Sequence, residues 1–317
     1  MKGLLKNKPA GNQLLIMVSI ALVGVFIIGS LFGTIILTAI TGIKPTELMD
    51  MNKLDFTKPG VITYIRGLQV AQFFGLFLVP SLLCAWLFST NSRKYLGLNK
   101  PHGLSHWVIG IMVMILAIPF VQWLGEINQA IQFPSGMAKW MRAKEDSANK
   151  TVMALLTRRT PVDLVLNLVL IAGLAAVGEE LLFRGVAQRL LIRLFKSPWP
   201  GIIVAAFIFS ALHMQFYGFL PRFVLGILLG AVYWYSGSLW TAILAHFVYD
   251  ALLIVMAYFN PTLVNAENTV KMSSIALTAA FSFILVSLAV NWMIKHSGTH
   301  YDNVYKEDRL PDLEDRS

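Results

Sequence analysis

The chain has 317 residues, of which 56% are hydrophobic and 14% are charged, and its formal net charge is +9. Soluble proteins carry about a quarter charged residues, whereas several apolar stretches here approach the ~20 residues that a helix needs to cross a bilayer. The composition therefore excludes an ordinary soluble protein and predicts an all-α fold, a polytopic transmembrane helical bundle in the lipid bilayer.

The first apolar stretch follows the N-terminal lysines and runs from Leu14 to about Ile40. It is too long for the ~7–15-residue core of a signal peptide, and no small-residue cleavage site follows it. We therefore expect a retained membrane span. Hydropathy predicts about eight spans in all, at 14–41, 62–88, 105–125, 162–182, 200–214, 221–236, 238–258 and 273–295.

Basic residues between the spans predict the orientation of the chain. They form three clusters, which are Lys2/Lys6/Lys8, Arg93/Lys94/Lys100 and Arg189/Arg193/Lys196. With eight spans all three clusters fall on one side, and Lys and Arg gather in cytoplasmic loops. We therefore expect both termini in the cytoplasm. No nucleic-acid motif or basic–aromatic stripe accompanies the positive charge, so no nucleic-acid partner is expected.

The segment 135–159 departs from this charge pattern. It carries six basic residues on the side that the charge rule predicts to be outside. Trp140 and Met141, followed by Val152 and Leu155, predict an amphipathic helix lying on the membrane surface. Either this segment breaks the charge rule, or the predicted number of spans is wrong near it.

We divide the chain into five regions. These are a three-span region at 1–134, an interfacial segment at 135–160, a candidate catalytic core at 161–260, a last span at 261–295 and a polar tail at 296–317. The tail is short and mixed in charge, and we expect it to be disordered.

The segment GEELLFRG, residues 178–185, places three ionisable side chains inside a predicted span, where each is costly unless paired or hydrated. Glu180 and Arg184 are i,i+4 neighbours on a helix, in the favourable order. Glu179 is turned by about 100° from Glu180 and has no such partner, which suits a general base. The alternative is that all three charges lie at a membrane interface and face the headgroups.

Two histidine motifs follow on later spans. Phe209 lies one helical turn before His213 and can cover its imidazole, and His246 and Asp250 share one face of an otherwise apolar helix. An aspartate at this offset can fix the tautomer of a histidine. The plainer interpretations are an interfacial histidine and a buried polar pair that specifies helix packing. Together with the glutamates, these residues predict one polar cavity among the spans.

The ordered segments EELLFR, FSALH and HFVYD resemble the patterns EExxxR, FxxxH and HxxxN/D of the intramembrane glutamate proteases. This is the CAAX prenyl protease and bacteriocin-processing family, also called the CPBP or Abi family. The resemblance covers roughly residues 160–260. The details are closer to bacterial members, so the resemblance implies an endopeptidase of a bacterial cytoplasmic membrane, that is, of the cell membrane. This enzyme would hydrolyse a membrane-associated peptide or protein by glutamate-activated attack of water.

By position, the resemblance implies that Glu179 activates the water, that His213 helps to hold it and that His246 contributes to the oxyanion hole. The best-known eukaryotic members have Asn at the position of Asp250, which can donate a hydrogen bond only when it is protonated. Asp250 is therefore either a neutral acid or an acceptor that orients His246. Three further side chains would support the site: Glu180, Arg184 and Phe209.

Other interpretations stay open. The resemblance implies no cofactor, yet zinc accepts the side chains of Glu179, His213, His246 and Asp250, as in a metalloendopeptidase-like site. A non-catalytic membrane protein on the same fold, acting in immunity or as a scaffold, is the main alternative function. A proton-coupled transporter would show inverted repeats, and the sequence contains none that we can detect.

Overall fold

The computed structural model describes residues 2–44, 46–47, 54–56, 58–101, 103–260 and 272–305. Within these ranges the regular elements are all helices. They are α1 (Ala10–Thr41), α2 (Pro59–Phe88), α3 (Ser92–Tyr95), α4 (Leu104–Leu116), α5 (Ile118–Ala130), α6 (Ser135–Leu156), α7 (Pro161–Phe195), α8 (Pro198–Leu212), α9 (Phe219–Ser236), α10 (Leu239–Phe259), α11 (Met272–Lys295) and α12 (Tyr301–Tyr305), with a short 3₁₀ turn, Phe216–Gly218, between α8 and α9.

The prediction of a polytopic helical bundle is confirmed. In the described part of the chain, seven helices are long and apolar enough to cross a membrane: α1, α2, the α4–α5 pair, α7, α9, α10 and α11. The remaining predicted span, 200–214, corresponds to α8, which is apolar but has only 15 residues. At ~1.5 Å per residue such a helix covers ~22 Å, which is less than the ~30 Å hydrocarbon core.

Four π-helical segments widen the long helices. They are Val25–Gly33 in α1, Phe73–Leu78 in α2, and Leu168–Gly173 and Glu180–Gln188 in α7. Such segments are uncommon and occur frequently at functional sites. The last of them begins at Glu180, directly after Glu179, so the helix type changes within the glutamate motif.

Glycines allow α7, α8 and α9 to approach one another closely. A Cβ at Gly230 would lie 2.5 Å from Gln188 Oε1, and one at Gly226 would lie 3.0 Å from Ala206 Cβ. Side chains of α7 therefore reach the backbone of α9. Gln188 Nε2 donates to Gly230 O at 3.1 Å and Arg184 Nη2 donates to Gly226 O at 3.2 Å. These contacts fix the glutamate-bearing helix against α9.

The regions that carry the three basic clusters meet at one end of the bundle. The Gly3 N–H donates to Trp86 O near the end of α2. Arg189 of α7 lies between the rings of Tyr95 and Tyr305. Residues near both termini therefore lie at the same end, as the predicted number of spans requires. The cytoplasmic location of this end stays a prediction.

The basic segment 135–159 lies at the other end. It forms α6, whose Trp140 and Arg142 contact Phe216 and Tyr217 in the turn that follows α8. Because α8 begins beside the third basic cluster and ends at this turn, α6 lies opposite that cluster. The segment therefore lies at the end that the span count predicts, and the alternative that it breaks the charge rule depends on a cytoplasmic location of the other end, which stays a prediction. Its location on the membrane surface stays a prediction.

The C-terminal tail is ordered in part. Residues Tyr301–Tyr305 form α12, and the buried Tyr305 donates through its hydroxyl group to Arg189 O at 2.7 Å. The prediction of disorder is wrong for these five residues, because Tyr301 and Tyr305 pack on each other and on the core. The same prediction for 306–317 lies outside the described residues, as do residues 261–271 of the predicted last region.

Candidate active site

A cavity of about 580 Å³ lies among α2, α7, α8, α9 and α10, and α4, α5 and α6 each contribute one residue to its lining. Its lining is largely apolar, but the side chains of Glu179, His213, His246 and Asp250 all reach it. Glu179 comes from α7, His213 directly follows α8, and the other two come from α10. The structure thus brings the four residues predicted to be catalytic to one cavity.

Glu180 and Arg184 form a buried ion pair beside this cavity. Arg184 Nη1 donates to Glu180 Oε1 at 2.8 Å, and the two side chains are only 2% and 0% exposed. The guanidinium also lies over the ring of Phe209, 4.6 Å from its centroid. The i,i+4 pairing predicted from the sequence is therefore present, and Arg184 connects the first motif to the second.

His246 lies between two carboxylates. Its Nδ1 is 2.9 Å from Glu180 Oε1, and its Nε2 is 3.3 Å from Asp250 Oδ2. Because ionised carboxylates only accept, the ring donates at both nitrogens, or it donates at Nδ1 while the Asp250 carboxyl holds a proton. The sequence predicts the contact with Asp250. It does not predict the contact with Glu180, which joins residues on different helices.

Glu179 and His213 face each other without a direct hydrogen bond. Glu179 Oε1 is 3.9 Å from His213 Nε2, beyond the hydrogen-bonding range. His213 Nδ1 is 2.8 Å from Phe209 O, and since a carbonyl oxygen only accepts, this nitrogen carries the proton. Nε2 of the neutral ring can then accept a hydrogen bond from another group. The Phe209 ring covers the imidazole, with ring centroids 4.8 Å apart.

A further charged residue at the cavity, Arg222 in the first turn of α9, is not among the predicted site residues. Its Nη2 donates to Gln215 Oε1 at 2.9 Å, and Gln215 Nε2 donates to Glu145 Oε1 of α6 at 3.4 Å. Burial raises the pKa of the Glu145 carboxyl, although the hydrogen bond from the Tyr217 N–H and the charge of Arg222 oppose this. The sequence held a signal, because FLPRFVLGILLG places an arginine at the start of an apolar span.

Helix α2 also lines the cavity, although it belongs to the predicted region 1–134. It contributes Gln69, Gln72 and Phe77. Gly178 allows this approach, because a Cβ there would lie 2.9 Å from Phe77 Cβ. Gln69 Oε1 is buried and accepts no hydrogen bond from a described residue, so it can accept one from a ligand.

The predicted alternative metal ligands do not converge on one point. Among the described residues, no group of three or more His, Cys, Asp and Glu side chains has the geometry of a metal site. Both ring nitrogens of His246 face carboxylates, and one of these, Glu180, is held by Arg184. A zinc site of Glu179, His213, His246 and Asp250 does not fit this arrangement. The expectation of a reaction without a cofactor stays a prediction.

Comparison with known proteins identifies related sequences. A family model described as type II CAAX prenyl endopeptidase Rce1-like matches residues 161–252, from the start of α7 into α10. Every predicted site residue lies in this range, and the match confirms the family resemblance there. A curated relative, the uncharacterized protein YpbD of Bacillus subtilis (strain 168), is 31% identical over 97 residues, which are 29% of this chain and 47% of the relative. The chain thus matches about half the length of this relative. No solved structure matches the chain.

Proposed function

We propose that this integral membrane protein is an intramembrane endopeptidase that hydrolyses a peptide bond in a membrane-associated peptide or protein. The observation that carries the proposal is the meeting of Glu179, His213, His246 and Asp250 at one largely apolar cavity. Ionisable side chains within a membrane are costly and mark functional sites. The match to an endopeptidase family model makes proteolysis the first chemistry to test.

Glu179 and His213 are placed to hold the attacking water. When Glu179 is ionised and His213 is neutral, their facing atoms, 3.9 Å apart, are both acceptors. A water between them can donate one hydrogen to each at about 2.8 Å, which leaves the lone pairs of its oxygen for the substrate. Glu179 takes a proton from this water as the oxygen attacks the scissile carbonyl carbon, and it later delivers the proton to the departing amine.

His246 is placed to stabilise the negative charge that develops on the carbonyl oxygen. Glu180 holds its Nδ1, and Arg184 in turn holds Glu180, so the orientation of the ring is fixed. The contact of Nε2 with Asp250 is the longer of the two, at 3.3 Å. The substrate oxygen can share this N–H in the transition state. In this scheme Asp250 is an acceptor that orients His246.

We also propose that the protein lies in a bacterial cytoplasmic membrane, with the end that carries Gly3 and Tyr305 in the cytoplasm. The support is the joining of the three basic clusters at that end. A thiol-reactive, membrane-impermeant label should not modify a cysteine placed at residue 3 in intact cells, whereas it should do so after the cells are opened. Labelling in intact cells would reverse the assigned orientation.

The test of function compares the peptides that cells release when they produce the parental protein, Glu179→Gln or Glu126→Gln. Glu126 lies on α5 and does not line the cavity, so its variant controls for the loss of one intramembrane carboxylate. At least one peptide should be missing only from the Glu179→Gln cells. Release at the parental rate by a folded Glu179→Gln protein would contradict the proposal. A Glu179→Ala/His213→Ala protein that keeps the biological phenotype would favour the non-catalytic alternative.

A further inference from the structure

Arg222 is a charged side chain that the proposed mechanism does not use. It lies in the first turn of α9 and lines the same cavity as Glu179 and His213. An arginine in a membrane-spanning helix is costly and is usually paired with an anion or linked to function. The question is which group compensates its charge.

Two other arginines of the described spans, Arg184 and Arg66, show what pairing with a carboxylate looks like. Arg184 donates to Glu180 and Arg66 donates to Asp163, each at 2.8 Å. Arg222 instead donates to neutral oxygens, which are the Gln215 backbone carbonyl at 3.4 Å and the Gln215 side-chain oxygen at 2.9 Å. It forms no ion pair with any carboxylate in the part of the chain that the structure describes.

Glu145 and Glu179 are the carboxylates whose charges act on Arg222 through space, and the oxygens of Glu145 are directed elsewhere. They accept from Gln215 Nε2 at 3.4 Å and from the Tyr217 N–H at 3.3 Å. The Gln215 amide therefore separates the charges of Glu145 and Arg222, which interact only through space. This arrangement holds one side of the guanidinium and leaves its other N–H groups for a ligand.

Hydrogen bonds hold the turn that precedes Arg222 in place. Asn128 of α5 donates to Phe216 O at 2.8 Å and accepts from the Leu220 N–H at 2.6 Å, which fixes the turn on both sides of Gly218. A ligand that binds to Arg222 therefore does not have to order this turn first. Such preorganisation lowers the entropic cost of binding.

We infer that Arg222 binds a carboxylate of the peptide that occupies the cavity. A guanidinium offers parallel N–H groups that match the two oxygens of a carboxylate. Glu179 and Asp250 also line this cavity and repel an anion, whereas Arg222 attracts one, so the charged end of the peptide lies at Arg222 and its neutral peptide bond lies at Glu179. Arg222 is thus a specificity residue that sets the position of the peptide. The inference rests on the proposed function only in taking the ligand to be a peptide.

The test measures binding and does not require cleavage. The probe is a fluorescent, S-farnesylated peptide of neutral residues in three forms: with a free C-terminal carboxylate, with a C-terminal amide, and with an amide plus one aspartate side chain. Fluorescence anisotropy gives the Kd of each form for the full-length protein carrying Glu179→Gln, in which the peptide is not consumed. At least one carboxylate form should bind about 30-fold more tightly than the neutral amide. The form that does so identifies the carboxylate as C-terminal or side-chain.

Adding Arg222→Gln should remove this preference and leave the affinity for the neutral amide unchanged. Arg222→Lys should keep only part of the preference, because a lysine cannot bind both oxygens in one plane. Arg142→Gln is the matched control, since Arg142 stacks on Tyr217 at the same end but does not line the cavity. It should keep the full preference.

Three results would overturn the inference: no preference for either carboxylate form, an equal loss of preference in Arg142→Gln, or an equal loss of affinity for all forms in Arg222→Gln. Failure to bind any of the peptides would also contradict it. A protein that binds with the predicted preference but releases no peptide in cells would contradict only the proposed function.

Discussion

Glutamine substitution of the two adjacent glutamates should affect different properties. Glu180→Gln should lower the free energy of unfolding, whereas Glu179→Gln should abolish cleavage with little change in stability. Glu180 is fully buried, and its Oε1 accepts from Arg184 Nη1 at 2.8 Å and from His246 Nδ1 at 2.9 Å. Glu180→Gln keeps the shape of the side chain but removes the charge that compensates Arg184. Removing one partner of a buried ion pair costs about 3–5 kcal/mol, so we expect the free energy of unfolding to fall by that amount.

Glu179→Gln should change the stability by less than about 1 kcal/mol. The reason is that Glu179 makes no comparable contact, since the facing nitrogen of His213 is 3.9 Å away. Activity should nevertheless be lost, because an amide cannot take a proton from water. The two neighbouring positions thus separate stability from catalysis.

Reversible unfolding in mixed micelles, with increasing SDS and detection by circular dichroism, measures these differences. The double variant Glu180→Gln/Arg184→Gln serves as a control. It should be more stable than Glu180→Gln, because it leaves no uncompensated charge in the core. Equal destabilisation by Glu179→Gln and Glu180→Gln would refute the assignment of Arg184 to Glu180. The assignment would also be refuted if the double variant lost as much free energy of unfolding as Glu180→Gln and Arg184→Gln lose together as single variants.

Three further predictions concern the histidines and the packing of the helices. Asp250→Asn should keep measurable cleavage because its amide oxygen still accepts from His246 Nε2. Asp250→Ala should lower kcat by about 10²-fold. Equal rates for the two variants would exclude an orienting role of Asp250. His213→Ala should lower kcat by about 10²- to 10⁴-fold while the free energy of unfolding stays near the parental value, and a large loss of stability would instead indicate a structural role. Gly230→Ala should destabilise the protein by about 1–3 kcal/mol in the micelle assay, because the new Cβ would lie 2.5 Å from Gln188 Oε1. Unchanged stability would contradict the close contact of α7 with α9.

Contacts within one helix could be predicted from the sequence. The i,i+4 offset of Glu180 and Arg184 and that of His246 and Asp250 both correspond to contacts in the structure. An offset of four residues places two side chains on one helical face whatever the helix packs against. The separation of Glu179 from the ion pair follows from the same geometry.

Contacts between helices could not be predicted from sequence offsets. Glu180 meets His246 across 66 positions of sequence, and Arg184 reaches the Gly226 carbonyl across 42. Both depend on how closely α7, α9 and α10 pack, which hydrophobic periodicity does not specify. The same limit applies to Gln69, which enters the site from a helix that was assigned to another region.

The short helix α8 corresponds closely to the span predicted at 200–214, which also has 15 residues. Its apolar composition resembles that of a span, but it ends at Leu212, after 15 residues. The chain then turns at Met214, whose positive φ of 55° ends the helical path. This end of the helix places His213 at the cavity, with its Nε2 3.9 Å from Glu179 Oε1. The turn that ends α8 is therefore part of the site, which hydropathy alone does not indicate.

The central claim is that Glu179 activates water for the hydrolysis of a peptide bond. Its most direct test is the rate of cleavage by purified parental, Glu126→Gln and Glu179→Gln proteins, with a peptide identified from the release comparison as substrate. The parental and Glu126→Gln proteins should cleave at equal rates. Glu179→Gln, shown by the micelle assay to be as stable as the parental protein, should be slower by about 10³-fold or more. Cleavage by the folded Glu179→Gln protein at the parental rate would contradict the claim.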